Sequence, residues 1–124
     1  MQNDPRHERA TAGALAALAA AIRETVDDLQ RLGDRAVALR EQLGAMPLTE
    51  AMEAEERPLI ITKLVEITDR LHEVGGVVRR TEAQQLRAEG RTHEQIAELF
   101  GVTRQRVSQL LDSPAVKRPS KRAR

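Results

Sequence analysis

Thr103, Arg104, Gln105, Arg106, Ser108 and Gln109 crowd the stretch "GVTRQRVSQLL", residues 101–111. A helix that only covered a core would not need so many long hydrogen-bonding side chains. Arginine can donate two parallel hydrogen bonds to O6 and N7 of guanine, and glutamine can engage N6 and N7 of adenine in the same bidentate way. Thr92, His93 and Thr103, with the backbone N–H groups at two helix starts, suit phosphate oxygens. Arg106 projects sideways, towards a nucleic-acid backbone. The competing reading makes these residues the solvated face of a helix packed on a protein partner.

Other chemistry is sparse. There is no cysteine, hence no disulfide framework and no thiolate metal site. His7, His72 and His93 stand far apart, without metal-ligand spacing. Glu53, Glu55 and Glu56 are read as a solvated charge run. No glycine-rich phosphate loop and no paired nucleophile and base occur. The expectation is a non-enzyme without cofactor or metal. A site-specific recombinase would need a catalytic domain that the N-terminal half does not supply.

The elements that must position the polar stretch are delimited by capping signals. Gly90 closes "VVRRTEAQQLRAE". Thr92 then caps "HEQIAELF", with Gln95 three residues on to complete a capping box. Gly101 supplies a turn that favours positive φ, and Thr103 caps "RQRVSQLL". Ile96, Ala97, Phe100, Val102, Val107, Leu110 and Leu111 are the expected interior. Ala97 is small where two helices cross, and Val107 and Leu110 pack the second helix onto the first. This is the pattern of a helix-turn-helix, whose second helix enters the major groove.

The stretch "LRAEGRTHEQIAELFGVTRQRVSQLL" resembles the helix-turn-helix of bacterial transcription regulators. In "GVTRQRVSQ" it is most similar to the domain with which housekeeping sigma factors read the upstream promoter element. The resemblance covers roughly residues 77–112 and implies duplex DNA binding, with residues 103–111 as the recognition helix. It does not imply a complete sigma factor. No segment resembles the aromatic-rich melting and polymerase-binding regions, and "DSP" after Leu111 stops a helix that in the family runs on.

The N-terminal half reads differently. "NDP" signals a helix start, with Asp4 as N-cap and Pro5 at the first helical position. Leu15, Leu18, Ile22, Thr25, Leu29, Leu32, Ala36, Leu39 and Leu43 then alternate in steps of three and four, a heptad seam. Gly44 and Pro47 end this helix. An acidic connector follows, with a short helical turn capped by Thr49. A second helix starts near Pro58 and carries Ile60, Leu64, Ile67, Leu71, Val74 and Val78. Complementary stripes predict an antiparallel hairpin or coiled coil. The first helix is about 57 Å long and the second barely half that, so part of the first seam stays uncovered. The expected cover is a second copy of the chain. Gly75–Gly76 interrupts the second stripe, either as a kink or as a hinge.

Charge divides the halves. Residues 1–56 hold 6 Arg against 11 Asp or Glu, a net −5, whereas residues 77–124 hold 11 Lys or Arg against 5 acids, a net +6. The asymmetry predicts a polyanion partner for the second half. Phe100 is the single aromatic residue, which counts against single-strand binding by base stacking. The tail contributes Lys117, Arg118, Lys121, Arg122 and Arg124 with no acid. It is read either as a solubilising segment or as an arm along phosphates or in the minor groove. No long apolar run and no secretory signal pattern occur, so a cytoplasmic, nucleoid-associated protein is expected.

The expected architecture is therefore all-α. Residues 4–74 form a long-helix dimerisation region, 77–112 a helix-turn-helix and 113–124 a basic tail. The expected function is sequence-specific binding of double-stranded DNA at a palindromic or repeated site by a homodimeric regulator. The rivals are a DNA-organising or segregation protein, and a coiled-coil interaction protein that binds a second protein through its long helices and uses the helix-turn-helix as a tether.

Overall fold

Helix is the only regular structure among the described residues. The computed structural model describes residues 5–112, as α1 (Pro5–Gln42), α2 (Leu48–Glu53), α3 (Ile60–Ala88), α4 (His93–Phe100) and α5 (Arg104–Asp112). Both long helices contribute to two compact units. Among the described residues, one holds 5–18 and 73–112; the other holds 19–72.

In the 19–72 unit, α1 and α3 run antiparallel. Arg70 of α3 pairs with Glu24 of α1, and Arg35, eleven positions further along α1, reaches back to the residues just before α3. Ala21, Thr25 and Leu32 are buried from α1 and Ile67 from α3. Buried Thr25 keeps its hydroxyl satisfied by donating to the Ala21 carbonyl, at 2.6 Å.

The connector is anchored by Arg35. Its Nη2 donates to Glu55 Oε2 at 3.1 Å, to the Glu56 carbonyl at 2.7 Å and to the Pro58 carbonyl at 2.8 Å. Glu55 is thus a half-buried ion-pair partner, not part of a solvated run, because the chain folds back over α1 at that point. α2 also departs from the sequence reading. It begins after Pro47, which provides no side-chain cap, so Thr49 lies inside the helix and does not cap it. Asp4, the expected N-cap of α1, lies outside the described residues.

The α1 seam divides into two lines. Thr25 and Leu32 are buried and Leu18 and Leu39 half-buried, whereas Leu15, Ile22 and Leu29 are 43–47% exposed, and Leu43 lies in the turn beyond the helix. The reason is that one neighbouring helix covers only a limited arc. Small Ala14 and Ala21 turn that arc to one side of the heptad stripe, leaving the other side open.

In the other unit, α3 continues through Gly75 and Gly76 without a break. The first of the short helical segments expected there is therefore the C-terminal part of α3. Each glycine costs about 1 kcal/mol of helix propensity, but buried Val78 and half-buried Val74 on either side fix the helix by packing. Thr11 of α1 donates to the Thr81 carbonyl of α3 at 3.4 Å. α3 stops at Gly90, whose φ of 98° is available to glycine at little cost. Gly90 N–H donates to the Arg87 carbonyl and Arg91 N–H to that of Leu86, the paired bonds of a Schellman ending.

Candidate nucleic-acid interface

Two short helices carry the polar residues, and each is fixed at its start by a threonine. Thr92 Oγ1 accepts from Gln95 N–H at 3.1 Å, while Gln95 Oε1 accepts from Thr92 N–H at 2.9 Å, a reciprocal capping box on α4. α4 ends at Gly101 with φ 72°, where Val102 N–H donates to the Ala97 carbonyl. Thr103 Oγ1 then accepts from Arg106 N–H at 3.0 Å and starts α5. A threonine hydroxyl that accepts a capping bond still has its own proton to donate.

The pair is held by a small apolar core. Ile96, Ala97 and Val107 are buried, and Leu86, Phe100 and Leu111 pack against them. Leu110 is buried as well. Val102, expected inside, is 39% exposed because the turn after Gly101 carries it outward. The chain's one aromatic, Phe100, is covered by Arg79, whose guanidinium carbon lies 4.1 Å from the ring centroid. That geometry permits a cation–π attraction and ties α3 to the end of α4.

Burial on α5 defines its outward face. With Val107 and Leu110 inward, the 100° step of an α-helix brings Gln105 to the middle of the opposite face, with Ser108 and Gln109 beside it. Arg104 and Arg106 stand at the edges of that face. Arg104, Gln105, Arg106 and Gln109 are exposed and Ser108 is half-buried. Arg106 Nη1 donates to Gln109 Oε1 at 3.4 Å. Thr92 precedes α4, half-buried His93 is its first residue, and Thr103 precedes α5. Lys117, Arg118, Lys121 and Arg122 lie outside the described residues.

Two acidic residues near this face escaped the sequence reading. Glu94, in the first turn of α4, holds Arg104 Nη1 at 3.1 Å. Asp112 shares the outward face of α5 with Gln105 and Ser108, and an acid there can accept from cytosine N4. No local spacing announces the Glu94–Arg104 pair, since the partners lie on different helices. The charge of the region is also more even than the half-chain totals suggest. Residues 77–112 contain 6 Arg and 5 acids, so nearly all the cationic excess of the second half belongs to residues 113–124.

Residues 77–113 match the family model described as Sigma-70, region 4. The match covers α4, α5 and the C-terminal part of α3, so this region is a helix-turn-helix of the kind found in sigma factors, a DNA-binding fold. Searches of curated proteins and of solved structures each gave no match. No described helix is long and apolar enough to cross a membrane.

Proposed function

We propose that the chain binds double-stranded DNA sequence-specifically as a dimeric transcriptional regulator, with α5 lying in the major groove. The observation that carries this reading is the outward face of α5. Gln105 stands at its centre, Arg104 and Arg106 at its edges, and a buried Ile96–Val107 contact fixes it to α4. Arg104 and Gln105 are assigned to base edges, together with Ser108 and Gln109. Thr92, His93, Thr103 and Arg106 are assigned to phosphates. Lys117, Arg118, Lys121 and Arg122 supply a salt-sensitive attraction common to all sequences.

Residues 77–112 are the DNA-binding domain in this reading, residues 4–74 the dimerisation region and 113–124 the cationic tail. A recognition helix as short as α5 reads only a few base pairs. Two of them about 34 Å apart read the halves of a palindrome. Selection from random duplex DNA by the full chain, followed by footprinting, tests the assignment. The expected product is a short two-fold site, protected in isolation. Uniform retention of all duplexes, or protection that spreads from the site, would instead support a DNA-organising protein.

A further inference from the structure

The 19–72 unit has one apolar face that its own helices leave open. On α1, Ile22, Val26 and Leu29 are 43–50% exposed; on α3, Ile61, Leu64 and Val65 are 36–67% exposed. At 100° per residue, each set lies roughly 100° round its helix from the buried line, in the same rotational sense. In an antiparallel pair, equal displacements of the same sense fall on the same side of the hairpin. The opposite side obeys the same rule. Glu24 and Arg70 are each displaced in the other sense, and they meet as an ion pair. That pair also marks the register, which brings Leu29 level with Val65 and Gly33 level with Ile61.

We propose that this two-helix face receives the same face of a second copy, forming a four-helix arrangement. The inference rests on the dimeric reading above and names the surface that makes the dimer. Size supports this occupant. The six side chains expose on the order of 500 Å² of apolar surface, within the range of the largest patches on monomers, which are often functional. A standard interface takes about 800 Å² from each partner, near 60% of it apolar, and so needs about this amount. Shape supports it too, since two flat helix pairs can stack through one self-complementary patch.

Gly33 is a further pointer. It is exposed one turn beyond Leu29 on the same side of α1, and a methyl group added there would meet nothing within 4 Å in the chain itself. A mid-helix glycine costs stability without return in the lone chain; close approach of another helix accounts for it. Charge agrees as well. A two-fold axis along the helices lays α1 of one copy over α3 of the other at the same level. Arg23, at the outer edge of α1, then faces Asp69 of the second copy. Both residues are exposed, and neither has an ion-pair partner among the described residues.

Sedimentation equilibrium of the full chain without DNA, from 1 to 100 μM, tests the proposal (concentrations of roughly this range bracket ordinary dimers). A dimer is expected. Leu29→Glu and Val65→Glu should each raise its dissociation constant at least tenfold, with the helical circular dichroism retained. Arg70→Gln, on the opposite side, should leave it unchanged. Arg23→Glu should weaken pairing, and adding Asp69→Arg should restore it, a rescue that misfolding cannot imitate. A monomeric wild type overturns the proposal, as does a dimer indifferent to the glutamate substitutions or a charge swap that fails to rescue. The DNA reading fails separately. A dimer of this kind that retains all duplexes alike sinks the regulator and leaves the interface standing, whereas a monomer that selects an operator does the reverse.

Discussion

The Arg104 guanidinium lies 3.1 Å from the Glu94 carboxylate, joining the first turn of α5 to the first turn of α4. Both side chains are about two-thirds exposed, so the pair adds little to stability. Its consequence is for recognition. In the proposed DNA-bound arrangement, the arginine assigned to a base edge is paired with an acid at the start of α4, the end assigned to phosphates. Glu94→Gln is therefore expected to change unfolding free energy by less than about 1 kcal/mol. It should raise affinity for all duplexes, because one repulsive charge is gone, and reduce discrimination at the base that Arg104 reads. Paired titrations on the selected operator and a scrambled duplex check both parts. Unchanged discrimination would mean that the ion pair plays no part in reading.

Removal of the reading groups themselves should act differently. Arg104→Ala or Gln105→Ala is expected to cost about 1–3 kcal/mol on the preferred site and to relax specificity at one position in each half. Competition against duplexes altered one base pair at a time provides the measurement. Wild-type binding by both variants would remove α5 from the groove.

The uneven spread of charge makes the tail testable on its own. With 6 Arg and 5 acids in residues 77–112, general attraction to DNA falls largely to the five cations of residues 113–124. Deletion of residues 114–124 should weaken binding to every duplex by a similar factor. It should also flatten the plot of log affinity against log salt by roughly 0.9 for each phosphate that the shortened chain no longer neutralises. An unaltered slope would make the tail a solubilising segment.

Much of the helix-turn-helix was legible because its signals are local. Thr92 with Gln95, Gly101 with its positive φ, and Thr103 before α5 each act within four residues, and each does in the structure what its position suggests. Ile96, Ala97, Val107 and Leu110 were legible from their spacing. Some misreadings were local, as at Thr49 and Val102, but others depended on how the helices pack. Gly75–Gly76 looks like a break until Val74 and Val78 are seen to pack. Glu55 looks solvated until Arg35 folds beneath it, and Arg104 looks free until α4 brings Glu94 alongside. The heptad seam of α1 is the most instructive case. Periodicity marks the apolar stripe, but not which side of it α3 would cover.

That division yields a paired measurement on two glycines of α1. Gly13 and Gly33 are both exposed in the helix interior, and a methyl group added at either would touch nothing within 4 Å in the chain. In a lone molecule both should respond alike, because alanine gains roughly 0.5–1 kcal/mol over glycine in a helix. Gly13 lies away from the apolar stripe, so Gly13→Ala is expected to show this gain in urea unfolding at any protein concentration. Gly33 lies one turn beyond Leu29 on the same side of α1, level with Ile61. There the added methyl would stand between closely packed helices, so Gly33→Ala should show no gain where the chains are paired and should raise the dimer dissociation constant. Equal stabilisation by both substitutions, with association unaffected, would mean that Gly33 faces water and that no helix of a second copy approaches it.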